Sequence, residues 1–153
     1  MDPTREHLLM SKRDENPPRL DDGARLETSG QQAEAAEVYA RILVSHPELF
    51  EAAYRLAKCH EHLEQWTRAH DAWNHALKID PTHIESAIGR AESLRQARCH
   101  RNALYAYESA LAIQAIHAYA LAGKAESLRM LGFNEDALPW FDASLQAHPD
   151  HVF

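Results

Sequence analysis

Residues 52–81 read AAYRLAKCHEHLEQWTRAHDAWNHALKIDP, and they are the clearest copy of a sequence repeat. The same residue types return at a spacing of 34 residues along the chain. The recurring positions hold an alanine (Ala35, Ala69, Ala103, Ala137), an aromatic residue (Tyr39, Trp73, Tyr107, Phe141), a leucine (Leu43, Leu77, Leu111, Leu145) and a proline (Pro47, Pro81, Pro149). Four copies in one register predict a helical repeat array, a class of protein that usually presents a binding surface.

Two apolar stripes at helical spacing recur in the copies, although the opening half of the first copy, residues 19–29, departs from this pattern. In the second copy the stripes are, in order, Ala53, Leu56, Ala57, His60 and then Ala69, Trp73, Ala76, Leu77. Residues spaced in this way lie on one face of a helix, and small residues on facing stripes let two helices approach closely. The copy therefore predicts two antiparallel helices joined by a short turn near residues 63–67.

The repeat divides the chain into an N-terminal segment and one repeat domain. Residues 1–18 do not match the repeat and are expected to form a tail or a short extra helix. Residues 19–153 form the domain, with units at about 19–49, 50–83, 84–117 and 118–151. The segments GRAESLR (89–95) and GKAESLR (123–129) differ at one position, which indicates internal duplication. We expect Gly89 and Gly123 to leave room for the backbone of a partner.

This period and these residues resemble the tetratricopeptide repeat. The resemblance implies an all-α fold, a right-handed α-solenoid of four helix–turn–helix units with about eight helices. It also implies a concave groove lined by the first helix of each unit. A protein of this family is expected to be a non-enzymatic interaction scaffold or adaptor that binds a peptide or helix of another protein.

The residues opposite the core stripes are the candidates for the groove. They are Tyr54, Arg55, Lys58, His62, Ile88, Glu92, Arg95, Tyr119, Glu126 and Arg129. Arginine suits carboxylates and carbonyl groups, whereas tyrosine and isoleucine suit apolar side chains. The alternative interpretation is that Glu92–Arg95 and Glu126–Arg129 are ordinary helix pairs worth ~0.2–0.5 kcal/mol each.

Composition narrows the class of partner. The formal net charge of -7 argues against a nucleic-acid or anionic-membrane surface. The charged N-terminus and the lack of a long apolar stretch predict no signal peptide and no membrane insertion. The two cysteines, Cys59 and Cys99, do not suggest a disulfide framework, so we expect a cytoplasmic protein.

Metal and catalytic sites are not expected, although the chain has eleven histidines. Cys59, His60 and His62 are too close in sequence to converge on one ion from a single helix. The chain lacks a glycine-rich phosphate loop and a nucleophile elbow, so we predict neither a cofactor nor enzymatic activity.

Two other functions remain open at this point. A secretion-type chaperone of the same fold would shield a client segment. A self-assembling scaffold would form homo-oligomers through the last unit, which we expect to be uncapped. The apolar residues expected at that end are Leu138, Trp140, Phe141 and Leu145.

Overall fold

A computed structural model describes residues 18–147 of the chain. This range contains eight α-helices: α1 Leu20–Thr28, α2 Gln32–Ser45, α3 Phe50–His62, α4 Trp66–Ile79, α5 Ile84–Gln96, α6 His100–Ile113, α7 Ala118–Met130 and α8 Asn134–Ala147. Each helix packs against its neighbours in sequence, and α5 also contacts α7. The prediction of an all-α solenoid is thus confirmed. The predicted N-terminal tail or helix lies almost wholly outside the described residues.

The repeated alanines and aromatic residues form the core. Ala35, Ala69, Ala103 and Ala137 are buried where paired helices cross. Tyr39, Trp73 and Tyr107 are also fully buried, and each such ring removes about 150–250 Å² from water. Hydrophobic burial of the rings therefore contributes more to stability than burial of the small alanines.

The repeated leucines show how burial changes along the array. Leu43 is buried and Leu77 is half-buried, whereas Leu145 is 58% exposed. In the first three units the first helix of the following unit covers this position. Among the described residues no helix follows α8, so Leu145 remains open to solvent.

The buried face of α3 differs from the predicted stripe. Cys59 is buried, whereas His60, which the pattern placed on the core stripe, is half-buried and its Nδ1 lies 2.8 Å from Oε1 of Gln65. Burial lowers the pKa of His60. Because α3 packs against both α2 and α4, its buried surface is wider than the stripe of a single helix pair.

The same turn follows the first helix of each unit. Gly30, Glu64, Arg98 and Gly132 occupy equivalent positions and have φ values of 78°, 53°, 61° and 89°. In each turn the amide of the next residue donates a hydrogen bond to the carbonyl five residues earlier, as between the Gln31 amide and the Leu26 carbonyl at 2.9 Å. This is the Schellman arrangement, which favours glycine because a side chain crowds the left-handed backbone.

Three other glycines accommodate aromatic rings. A Cβ on Gly89 would overlap the ring of Trp73, and a Cβ on Gly123 would overlap the ring of Tyr107. In the first unit Gly23 lies against Tyr39 in a similar way. The expectation that Gly89 and Gly123 make room for a partner backbone was therefore wrong, because the chain's own rings fill that space.

Candidate functional site

A groove of about 770 Å³ crosses α3, α5 and α7. These are the first helices of their units, or inner helices, and the second helix of each unit is its outer helix. The predicted residues that line it are Tyr54, Lys58, Ile88, Glu92, Arg95, Tyr119 and Glu126. Glu61, Gly89, Ala122 and Gly123, which lie on the same predicted faces, also line it. The lining residues that the sequence interpretation did not assign to the groove are Trp73, Glu85, Tyr107, His117 and Phe141. The groove therefore combines the free faces of inner helices with the tips of rings that belong to outer helices.

Arg55, His62 and Arg129 were predicted to lie in the groove but do not line it. The Arg55 guanidinium bonds to the Glu51 carboxylate, which raises its pKa, and it also reaches Glu27 of α1 at 3.3 Å. These bonds direct Arg55 towards the first unit. The residue at the equivalent position of the third unit is Gly89.

His62 and Arg129 lie at the ends of their helices. The Nδ1 atom of His62 is 2.8 Å from the carbonyl oxygen of Lys58, and the ring remains exposed. Arg129 donates to both carboxylate oxygens of Glu126, at 2.9 and 2.6 Å. Half of its side chain is exposed, so Arg129 lies beside the groove residue Glu126 without lining the groove itself.

The missed aromatic residues present polar atoms to the groove. Trp73 donates from Nε1 to Glu61 at 2.9 Å, and the Tyr107 hydroxyl donates to Glu92 at 2.7 Å. Both rings are core residues by their register, which is why the sequence did not assign them to the surface. The available signal was chemical, because a buried indole or phenol usually requires an acceptor.

Glu92 is the most extensively bonded carboxylate in the groove. It accepts bonds from Tyr107, from Arg95 at 2.9 and 2.6 Å, and from Gln96 at 2.8 Å. Burial is the largest single effect and opposes ionisation, but these bonds together outweigh it and hold the pKa of Glu92 below its ordinary value. Burial, followed by the nearby Glu92 charge, raises the pKa of Tyr107.

Charged pairs follow the groove at equivalent positions of successive units. Lys58 bonds to Glu61 at 2.8 Å, and one unit later the pair is Glu92–Arg95. The order of the charges is thus reversed between the two units. Since each pair is satisfied within its own helix, these charges are fixed in place before any partner arrives.

An aromatic cluster closes the end of the groove nearest α3. The Tyr54 ring stands edge-on to Trp73 and to His83, with centroid distances of 5.3 and 5.6 Å. Its hydroxyl donates to Glu85 at 3.1 Å, across the boundary between two units. Burial, and then this bond to Glu85, raises the pKa of Tyr54.

Within residues 18–147 no group of His, Cys, Asp and Glu side chains is arranged to hold a metal ion. Over the same range, no helix has the length and apolar character that spanning a membrane requires.

The stacked helix pairs and their groove define an α-helical repeat protein. Residues 29–110 match the family described as anaphase-promoting complex, cyclosome, subunit 3, and residues 88–152 match a tetratricopeptide repeat family. The chain belongs to the tetratricopeptide repeat family, as the resemblance predicted. This family is a type of protein-interaction scaffold. No curated protein matches the chain.

Solved structures of MamA proteins share the fold. One crystal structure of MamA has a TM-score of 0.80 at 19% identity, covering 95% of this chain and 86% of that chain. The MamA RS-1 ArsTM double mutant has a TM-score of 0.80 at 14% identity, covering 94% and 82%. Another MamA structure has a TM-score of 0.78 at 19% identity, covering 85% and 71%. At such identities the likeness shows the fold alone.

Proposed function

We propose that this protein is an adaptor without catalytic activity, which binds a peptide or helical segment of another protein in the groove across α3, α5 and α7. The observation that carries the proposal is the composition of that groove, in which the exposed Tyr119 and the partly buried Tyr54 and Ile88 lie among charged side chains. Protein interfaces commonly combine apolar anchors with surrounding polar groups in this way.

Tyr119 is the principal anchor that we propose. This residue is 74% exposed, although it lines the same concave surface as Ala122 and Ile88. Tyrosine offers a large contact area with few rotatable bonds, and it is enriched among residues that dominate binding energy. An exposed ring at this place is easier to explain as a contact surface than as part of the core.

The groove is also largely preorganised. Trp73 and His83 hold the Tyr54 ring, and the bonds to Glu92 hold the Arg95 side chain. Side chains that are already fixed lose little conformational entropy when a partner binds. This favours recognition of a flexible segment by a rigid surface.

The test is to select a random linear peptide library, displayed on phage, against the whole chain. Binding of each selected peptide is then measured for the wild type, for Tyr119→Glu in the groove, and for Tyr105→Glu as a matched control. Tyr105 is 61% exposed on the outer helix α6 and does not line the groove. We expect Tyr119→Glu to abolish binding and Tyr105→Glu to preserve it. Equal binding by both variants would contradict the groove assignment.

A second candidate function is self-association through α8. Leu138 and Leu145 are 62% and 58% exposed there, whereas Leu43, the residue of the first unit that is equivalent to Leu145, is buried. Light scattering of the whole chain should then show a dimer that Leu138→Ser with Leu145→Ser dissociates. A monomer at every concentration would count against this candidate.

A client-shielding chaperone would instead use the groove itself and keep an insoluble segment in solution.

A further inference from the structure

One carboxylate in the groove differs from the others. Within the described residues, Lys58, Glu61, Glu92, Arg95 and Glu126 all have a side chain of opposite charge within ion-pair distance. Glu85 lines the same groove and has no such partner there. Its side chain is exposed, and its described bond is the one from the Tyr54 hydroxyl to Oε2. The Oε1 atom is therefore free to accept a bond from a ligand.

The surroundings of Glu85 favour a cation. Next to it stands the groove residue Tyr54, whose ring can contact the apolar stem of a lysine or arginine side chain. His83 is directed away from the carboxylate, because its Nδ1 lies 2.9 Å from the Ser86 hydroxyl and accepts a bond from the Ser86 amide at 3.2 Å. The site thus presents a negative charge and an aromatic ring without a cation of its own.

The geometry of this pair is also fixed. Tyr54 belongs to α3 and Glu85 to the first turn of α5, so their bond links two successive units. The Tyr54 ring is held in turn by its edge-on contacts. A carboxylate held at a known place in a groove provides a directional contact, which a freely moving surface glutamate does not.

We propose that Glu85 and Tyr54 form a recognition point for a lysine or arginine side chain of the bound segment. An apolar side chain of the same segment would lie on Ile88 and Tyr119. This inference rests on the proposed function, because it names the chemistry of the partner in the same groove. Charge complementarity supports it, since the lining residues include four glutamates against one lysine and one arginine, and the whole chain carries -7.

The test uses the peptides selected from the phage library. We expect them to be enriched in lysine or arginine near an apolar residue. Glu85→Gln removes the charge and keeps an oxygen that can accept the Tyr54 bond, so the fold should be preserved. We expect it to weaken a selected basic peptide by about three- to ten-fold. Glu37→Gln, an exposed glutamate on the outer helix α2, makes the same charge change away from the groove and should leave affinity unchanged.

A double-mutant cycle assigns the effect to one contact. Replacing the basic residue of the peptide by norleucine should weaken binding to the wild type by the same factor, and should have little further effect on Glu85→Gln. Peptides that lose binding on Tyr119→Glu but contain no basic residue, or that bind Glu85→Gln as well as wild type, would overturn this inference alone. A library that yields no peptide dependent on Tyr119 would overturn the proposed function and this inference with it.

Discussion

The Tyr107 hydroxyl donates a hydrogen bond of 2.7 Å to the Glu92 carboxylate. Tyr107 belongs to the outer helix α6 and Glu92 to the inner helix α5, so one side chain connects the core of a unit to its groove. The equivalent residues of the next unit are Phe141 and Glu126, and Phe141 has no hydroxyl to donate. The third unit thus has this hydrogen bond and the fourth unit lacks the donor, so the two units can be compared to measure how much the bond contributes to stability.

Tyr107→Phe should lower the free energy of unfolding by about 1–2 kcal/mol, because it removes a bond to a charged, partly buried acceptor. Urea denaturation of both proteins measures the difference. Phe141→Tyr is the matched variant, since it introduces a hydroxyl at the position where Glu126 is the corresponding acceptor, and it should not destabilise the protein. An unchanged urea midpoint for Tyr107→Phe would contradict the importance of the bond.

The stability contribution of Glu92 should depend on pH. Its folded-state pKa lies below the ordinary value, so its favourable contribution is present above the unfolded pKa, about 4.3, and is lost as the pH falls through the folded pKa. The stability difference between wild type and Glu92→Gln should therefore shrink on acidification across this range. Denaturation midpoints measured at successive pH values test this, and a difference that stays constant would contradict it.

Glu64→Gly and Arg98→Gly should each stabilise the protein by about 0.5–1 kcal/mol. Both residues have left-handed backbone at positions where the other units have glycine, so replacement removes steric strain that outweighs the greater freedom of glycine in the unfolded chain. Thermal or urea denaturation measures the gain. Gly132→Ala, at the equivalent turn, makes the reverse change and should destabilise. A loss of stability in both glycine variants would show that the side chains matter more than the backbone.

Gly123→Ala should destabilise the protein by about 1–3 kcal/mol, because the new methyl group would overlap the Tyr107 ring and force it to move. Ala122→Gly changes a neighbouring groove residue without adding an atom, and it controls for general sensitivity of α7. The two urea midpoints give the comparison. A Gly123→Ala protein as stable as wild type would mean that the ring shifts at no cost.

The sequence predicted the helices and most of the core, because a spacing of 34 residues and apolar stripes are local properties of the chain. It could not predict that Trp73 and Tyr107 would fill the space beside Gly89 and Gly123. That contact joins different units, and the helical pattern of one unit contains no information about it. Glu85 was missed for the same reason, since its bond to Tyr54 crosses a unit boundary.

Among the predicted groove residues, too, the predictions that follow from the helical pattern succeed, and a prediction that depends on contacts with other side chains fails. Tyr54, Ile88 and Tyr119 line the groove because they simply oppose the core stripe of their helices. Arg55 occupies a similar face but turns away, because Glu27 and Glu51 offer it carboxylates. Long charged side chains choose among several nearby partners, and the sequence alone does not rank those partners.

The most direct measurement locates a bound peptide on the folded chain. Backbone amide chemical shifts of the whole protein would be recorded by NMR during titration with a selected peptide. We expect the shifts to concentrate on α3, α5 and α7, around Tyr54, Ile88 and Tyr119, and we expect α2 and the exposed face of α6 around Tyr105 to remain unchanged. Shifts confined to the outer helices, with the inner helices unaffected, would contradict the central claim that the groove is the binding surface.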